Sequence, residues 1–186
     1  MWILIICLAY LFGLSEMILM FTKRSKKKTV KRKKDSGSLL TLYIVFTISM
    51  TVGFFLANFR TLSSLNYVIA SLGFLLYFLG LIIRWTSIIQ LKKAFTVDVA
   101  INQEHELKID GLFKIVRHPS YLGLFIIFSG LAVSMNSLLS ILVISLPVFL
   151  VILFRIYVEE AVLLDEFGTK YEEYCKATKK IIPFIY

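Results

Sequence analysis

Two adjacent cationic residues lie at the start of an apolar stretch in the second half of the chain. Arg117 and His118 directly precede Pro119, which suits the first turn of a helix because it has no N–H to leave unpaired there. A residue before proline is biased towards an extended conformation, so both side chains should be presented at the helix entrance. Positive groups beside a helix N-terminus favour binding of a carboxylate or phosphate. An interfacial loop that contacts lipid head groups is an equally good interpretation of these residues alone.

A second group of charges closes the last apolar stretch. Arg155 is followed four residues later by Glu159, and Glu160 is adjacent. On a helix, Arg155 and Glu159 share one face and can form an ion pair. Ionisable groups in a membrane span are costly and usually face the protein interior or a water-filled cavity. The three residues are therefore either part of a site or a snorkelling arginine with an ion pair at a helix end.

Several familiar kinds of site are missing from the sequence. The two histidines and the two cysteines, Cys7 and Cys175, do not have the short spacing of a zinc-ligand set, so no metal is expected. There is no Gly-x-Gly-x-x-Gly, P-loop or Gly-x-Ser-x-Gly pattern. A dinucleotide or cosubstrate would therefore be held without a Rossmann fold.

The composition indicates an integral membrane protein. Hydrophobic residues make up 58% of the 186 residues and charged residues 18%, with a mean hydropathy of +0.81. A membrane span needs about 20 mostly apolar residues. The sequence thus predicts an all-α integral membrane protein of about five transmembrane helices, at residues 2–21, 39–59, 67–91, 119–135 and 137–157.

Local patterns predict how some of these helices are arranged. Only the short turn at 135–137 separates the last two spans, so they should form a helical hairpin. The last helix should continue to Phe167 and end at Gly168, and Thr169 should cap a following helix. One face of the third span should pack closely against another helix, because the small residues on it allow close approach. The residues that share this face at helical spacing are Ala70, Gly73, Tyr77, Gly80 and Arg84.

The basic residues predict an orientation and a partner. Nine of the 21 lie in one run, from Lys23 to Lys34, directly after an apolar stretch. Such a run is typical of a cytoplasmic anchor that attracts anionic lipids, and it favours a bilayer partner over nucleic acid. With five spans, the N-terminus should then be outside and the C-terminus cytoplasmic. The short chain favours a prokaryotic plasma membrane.

The charged groups resemble the motifs of the isoprenylcysteine carboxyl methyltransferase family, over residues 77–186. The first two spans carry no motif. The matching pieces are His105-x-Leu107 with Gly111, Arg117-His118-Pro119-Ser120-Tyr121-x-Gly123, and Glu159-Glu160-x-x-Leu163-x-x-x-Phe167-Gly168-x-x-Tyr171-x-x-Tyr174, with Pro183 near the end.

This resemblance implies a membrane methyltransferase that uses S-adenosylmethionine in a cytoplasmic pocket. The chain would be a single membrane domain, with N-terminal spans and the Lys-rich loop in 1–66 and a methyltransferase-like core in 67–186. Arg155 would face the methyl acceptor, and Phe113, where the family usually has tyrosine, would only pack on the cofactor. The implied cofactor-binding residues are His105, Glu106, Leu107, Lys108, Phe113, His118, Pro119, Ser120, Tyr121 and Glu159.

The chemistry of methyl transfer adds two roles. The cofactor's carboxylate would also suit Arg117. A carboxylate acceptor is already ionised at neutral pH and needs only a positioned cation, for which Arg155 is the candidate. An acceptor that must lose a proton would need a general base, and Glu160 or His118 could serve. The acceptor should be lipid-like, such as a prenylcysteine-type or other lipophilic acid, because the site lies between helices open to the bilayer.

Three alternatives remain open from the sequence. Arg-His-Pro-x-Tyr alone also resembles motifs of phospholipid N-methyltransferases and of NADPH-dependent sterol-type reductases. A non-enzymatic membrane anchor that uses the Lys-rich loop is the third. Binding of S-adenosylhomocysteine rather than NADPH separates the methyltransferases from the reductases.

Overall fold

The computed structural model describes residues 2–23, 30–33, 37–59, 67–92, 94–98, 100–102 and 107–182. His105 and Glu106 therefore lie outside the described residues. The elements in chain order are α1 Trp2–Thr22, β1 Val30–Lys33, α2 Ser38–Leu56, α3 Tyr67–Leu91, β2 Ala100–Asn102, a 3₁₀ helix Gly111–Lys114, α4 Pro119–Ser134, α5 Leu138–Phe167 and α6 Thr169–Ala177.

The predicted all-α class is confirmed. Four of the described helices, α1, α2, α3 and α5, are long and apolar enough to cross a membrane. The fourth predicted span is the 16-residue helix α4, which at about 1.5 Å per residue is shorter than the roughly 30 Å hydrocarbon core. Outward-facing apolar side chains such as Ile3, Phe21 and Val68 are more than three quarters exposed, as expected for lipid-facing positions.

The strands are an addition that the sequence did not predict. β1 lies in the Lys-rich run and pairs antiparallel with β2, with Val30 opposite Asn102 and Lys33 opposite Ala100. Part of the run is thus tied to the segment that follows α3. A charged run without alternating apolar residues gives no strand signal, so this pairing was not visible in the sequence.

The predicted glycine face packs α3 against α4. Gly73 and Gly80 of α3 lie against Gly130 and Gly123 of α4, respectively. A Cβ on Gly130 would lie 2.7 Å from the carbonyl oxygen of Gly73 and 2.5 Å from the backbone nitrogen of Tyr77. A Cβ on Gly123 would lie 2.8 Å from the carbonyl oxygen of Gly80. The two backbones therefore touch directly, and small residues make this approach possible.

Replacing Gly130 by alanine should destabilise the protein. The added methyl group meets backbone atoms of α3, which cannot rotate away, and such overpacking costs about 1–3 kcal/mol. Thermal denaturation of the detergent-purified protein should show a lower melting temperature. The matched control is Gly13→Ala, since a Cβ at Gly13 has nothing within 4 Å. Equal losses in both variants would contradict the close packing.

The two predicted boundaries of α5 are confirmed. Asn136 has a φ of 56° in the turn before α5, and the side chain of Ser137 accepts a hydrogen bond of 3.3 Å from the backbone N–H of Ser140. At the other end, Gly168 has a φ of 52° and ends the helix after Phe167. A positive φ of this kind is readily adopted by glycine, which has no Cβ.

The capping box predicted at Thr169 is wrong. Helix α6 begins at Thr169 itself, and Gly168 occupies the N-cap position without a side-chain hydrogen bond. Since Thr169 is already helical, it does not cap. The tail after α6 returns to the entrance of α4, where the backbone N–H groups of Arg117 and His118 donate to the carbonyls of Lys179 and Lys180 at 2.8 and 3.0 Å.

Candidate active site

A cavity of about 1080 Å³, its open mouth included, is lined by residues from all six helices and from the segments between them. It brings together ten of the thirteen predicted site residues. These are Leu107, Lys108, Phe113, Arg117, His118, Pro119, Ser120, Tyr121, Arg155 and Glu159. The charged group at the start of α4 and the charged group in α5 therefore converge on one cavity. They do so although Tyr121 and Glu159, for example, are 38 residues apart in the sequence.

Arg155 is buried in the cavity wall and is held by three separate parts of the chain. Only 1% of the residue is exposed. Its Nε donates to the hydroxyl of Tyr121 at 3.1 Å, and one Nη donates to the Ser38 hydroxyl at 2.6 Å. The other Nη donates to the carbonyl of Val97. The planar guanidinium matches these three directions at once, which fixes its orientation.

The hydroxyl of Tyr121 lies between Arg155 and Glu159. It donates to Glu159 Oε2 at 2.7 Å while it accepts from Arg155. The i,i+4 relationship predicted between Arg155 and Glu159 is thus mediated by Tyr121. Nδ1 of His118 lies 3.8 Å from Glu159 Oε1. Because 32% of the Glu159 side chain stays exposed, its carboxylate faces the cavity.

Glu160 is not brought into the cavity. Its Oε1 lies 2.9 Å from Nε of Arg117 and 3.4 Å from Nε2 of His118, and its Oε2 lies 3.2 Å from Nζ of Lys180. The hydroxyl of Tyr171 also donates to it at 3.4 Å. The carboxylate is therefore enclosed by groups that hold the tail, and this position does not suit the catalytic role predicted for it.

Arg117 reaches the cavity but is engaged behind it. Besides Glu160, its guanidinium donates to the carbonyls of Cys175 and Thr178, at the end of α6 and just beyond it. Its side chain is 7% exposed. Arg117 thus fastens the C-terminal segment to the entrance of α4, and this differs from the predicted contact with a cofactor carboxylate.

Helix α6 covers one side of the cavity with two tyrosines. The Tyr174 hydroxyl donates to the carbonyl of Phe113 at 2.6 Å, which anchors α6 to the 3₁₀ helix. Burial raises the pKa of both Tyr171 and Tyr174, so their hydroxyls remain protonated donors at neutral pH. Phe113 is 6% exposed and lines the cavity, and its packing on a cofactor stays a prediction.

The cavity also contains an ion pair that was not predicted. Both oxygens of Glu16 in α1 accept from Arg84 in α3, at 2.6 and 2.7 Å, and both residues are buried. Arg84 also donates to the hydroxyl of Ser120 at 2.8 Å. Each residue is the only charged one in its helix. That rarity was a usable signal, because ionisable groups in spans seldom lack a role.

The sequence and the helical fold match those of known methyltransferases. The model of the family described as phospholipid methyltransferase matches residues 68–170. A solved structure of the eukaryotic intramembrane Ras methyltransferase, isoprenylcysteine carboxyl methyltransferase, superimposes with a TM-score of 0.65 and 29% identity, over 77% of this chain and 52% of that one. The chain belongs to the phospholipid methyltransferase family, whose model matches more than half of it. Its similarity to isoprenylcysteine carboxyl methyltransferases confirms the resemblance found in the sequence motifs.

Two curated relatives are similar to the chain to different extents. Protein-S-isoprenylcysteine O-methyltransferase of Schizosaccharomyces pombe is 38% identical over 121 residues, covering 64% of this chain and 50% of the relative. Protein-S-isoprenylcysteine O-methyltransferase A of Arabidopsis thaliana is 28% identical over 178 residues, covering 94% and 88%. The chain thus spans about half the length of the first relative. Both organisms are eukaryotes, so these comparisons do not support the predicted prokaryotic plasma membrane.

Proposed function

We propose that this protein transfers a methyl group from S-adenosylmethionine to the carboxylate of a lipid-like acceptor, of which a prenylcysteine is the type. The observation that carries the proposal is the convergence of Arg155, Tyr121 and Glu159 in one cavity. These residues are joined by hydrogen bonds, although they come from two helices and from motifs far apart in the sequence. Their arrangement offers a cation for the acceptor beside a carboxylate for the cofactor.

The residues in the cavity fit S-adenosylmethionine. Phe113, Leu107 and Val162 supply an apolar wall suited to an adenine ring. The exposed part of the Glu159 carboxylate suits ribose hydroxyls or the ammonium group. Lys108 lines the cavity with 32% of its side chain exposed, and its ammonium lies 2.7 Å from the exposed carboxylate of Asp110. It is the cation that we assign to the cofactor's carboxylate. His105 and Glu106 also belong to this proposed site, although they lie outside the described residues.

The acceptor needs a group that orients it and does not need a base. When bound, S-adenosylmethionine supplies a methyl group on a sulfonium, which leaves as a neutral thioether. A carboxylate is ionised at neutral pH, so Arg155 needs only to hold it in line with that methyl group. Ser38, Val97 and Tyr121 keep Arg155 in place. Tyr171 and Tyr174 narrow the cavity from the α6 side and reduce the access of water.

The apolar part of the cavity supports a lipid-like acceptor. Leu39 and Leu42 of α2 and Leu124 of α4 line it together with Arg155.

We also propose that the end of the molecule that contains the cavity faces the cytosol, with the N-terminus on the opposite side of the membrane. The Lys-rich run begins at this end, where the carbonyl of Lys23 accepts a hydrogen bond of 3.1 Å from Val97. The positive-inside rule then supports the orientation, with anionic lipids as neighbours of the run.

Labelling with methyl-tritiated S-adenosylmethionine tests the proposal. Membranes that contain the protein should yield a labelled lipid-like product, and mild alkali should release the label as methanol, because a methyl ester is hydrolysed and an N-methyl group is not. Alkali-stable label in phospholipid would instead establish the phospholipid N-methyltransferase alternative. Stabilisation of the purified protein by NADPH and not by S-adenosylhomocysteine would replace the proposal with the reductase alternative.

A further inference from the structure

The first helix and the residue just beyond it each contact a group that lines the cavity. Glu16 of α1 holds Arg84, and Arg84 donates to both the hydroxyl and the carbonyl oxygen of Ser120, at 2.8 and 3.4 Å. Just beyond α1, the carbonyl of Lys23 accepts from the backbone N–H of Val97. The first contact ends at Ser120 in the first turn of α4, and the second ends at Val97, whose carbonyl accepts a hydrogen bond from Arg155.

Both contacts end on groups that define the geometry of the proposed site. Ser120 immediately precedes Tyr121, whose hydroxyl joins Arg155 to Glu159. Val97 supplies the carbonyl that accepts from Arg155. A rigid link carries the effect, because at Gly123 a Cβ would lie 2.7 Å from the backbone nitrogen of Arg84. A displacement of Arg84 therefore moves the first turn of α4 with it.

The remaining contacts of α1 show that the ion pair is not needed simply to dock this helix. Leu8, Phe12 and Glu16 are four residues apart and therefore lie along one face. The carbonyl of Leu8 accepts from the Tyr77 hydroxyl at 3.0 Å, and the ring of Phe12 meets Phe128 edge-on at 5.8 Å. A buried ion pair contributes little net stability over apolar packing, because desolvation offsets most of its attraction. A role in the site accounts for a charged pair at the turn closest to the cavity.

We infer that Glu16 and Arg84 are positioning residues for the methyl-transfer reaction: the pair fixes the first turn of α4, and so places the Tyr121 hydroxyl between Arg155 and Glu159. Neither residue is assigned to contact the reacting atoms. The inference rests on the proposed function and extends the site beyond residues 68–170, which the family model matches, into the first helix.

A double-mutant cycle between Glu16→Gln and Tyr121→Phe tests the inference. Glu16→Gln alone should lower kcat/KM for the acceptor on the order of tenfold. In the Tyr121→Phe background the same change should have almost no further effect, because both act through one hydroxyl. Ser120→Ala should behave like Glu16→Gln, and it leaves no buried charge unpaired, so it carries the cycle if Glu16→Gln does not fold.

The matched control is Tyr77→Phe, which removes a hydrogen bond between the same two helices, two turns from Glu16. It should leave kcat/KM unchanged. Amide hydrogen exchange measured by mass spectrometry over residues 120–124 gives a readout that does not need activity. Exchange should be faster by about tenfold in Glu16→Gln or Ser120→Ala and unchanged in Tyr77→Phe.

Additive effects in the cycle, an equal activity loss in Tyr77→Phe, or unchanged exchange at 120–124 would each overturn the inference. Additive effects would show that the pair does not act through the Tyr121 hydroxyl, and an equal loss in Tyr77→Phe would show that it only stabilises the fold. If the wild-type protein transfers no methyl group, the proposed function is wrong. The hydrogen-exchange comparison alone would then decide whether Glu16 orders the first turn of α4.

Discussion

Replacement of Arg155 by lysine should lower kcat/KM for the acceptor by about 100-fold while S-adenosylhomocysteine still binds. A lysine ammonium is a compact point charge and does not present the planar fork that donates to Tyr121, Ser38 and Val97 together. The acceptor carboxylate would keep a nearby positive charge but lose its orientation. Initial rates over a range of acceptor concentrations, with a thermal-shift titration of S-adenosylhomocysteine, measure both effects.

A graded control is available in Ser38→Ala. This change removes one acceptor of the Arg155 guanidinium and leaves the cation in place, so kcat/KM should fall only a few-fold, roughly in line with one lost hydrogen bond. Full activity in Arg155→Lys would contradict the orienting role. If Arg155→Lys lost S-adenosylhomocysteine binding to the same extent as activity, Arg155 would have to be assigned to the cofactor and not to the acceptor.

The sequence predicted those features that depend on local spacing. Gly73, Tyr77 and Gly80 share a face because helical periodicity requires it, and small residues allow another backbone to approach that face. A proline in the first turn and a glycine after the last turn likewise placed helix ends correctly at Pro119 and Gly168. Each of these inferences uses residues within a few turns of one another.

Local spacing could not predict the features that depend on which helices are neighbours in the fold. Glu16 and Arg84 are separated by 68 residues, and nothing in either helix identifies the other as its partner. The i,i+4 rule describes an isolated helix, and so it placed Arg155 against Glu159 without the tyrosine that enters between them from α4. The pairing of β1 with β2 likewise joins segments whose contact is set by the helices that flank them.

The same limit explains why the sequence did not distinguish the position of Glu160 from that of Glu159. Adjacent residues on a helix point about 100° apart, so only one of two neighbouring glutamates can face a given cavity squarely. The motif contains both and does not say which face is turned inward. The packing of α5 turns Glu159 towards the cavity and Glu160 towards Arg117 and Lys180.

Two matched substitutions separate these neighbours. Glu159→Gln should weaken S-adenosylhomocysteine binding by at least about tenfold, because hydrogen bonds to a charged group contribute about 1.5–3 kcal/mol. Its melting temperature without ligand should change little, since 32% of the side chain is exposed. Glu160→Gln should do the opposite: it leaves Arg117 with a neutral partner in a buried position and lowers the melting temperature, while the folded protein keeps its affinity.

Thermal denaturation without ligand and a titration of S-adenosylhomocysteine on the same purified samples give both quantities for each variant. Unchanged affinity in Glu159→Gln would remove this carboxylate from the cofactor site. Lost affinity in Glu160→Gln at an unchanged melting temperature would mean that its carboxylate reaches the bound molecule. The enclosure of Glu160 by Arg117, His118 and Lys180 argues against that outcome, because its carboxylate would have to leave all three partners to turn inward.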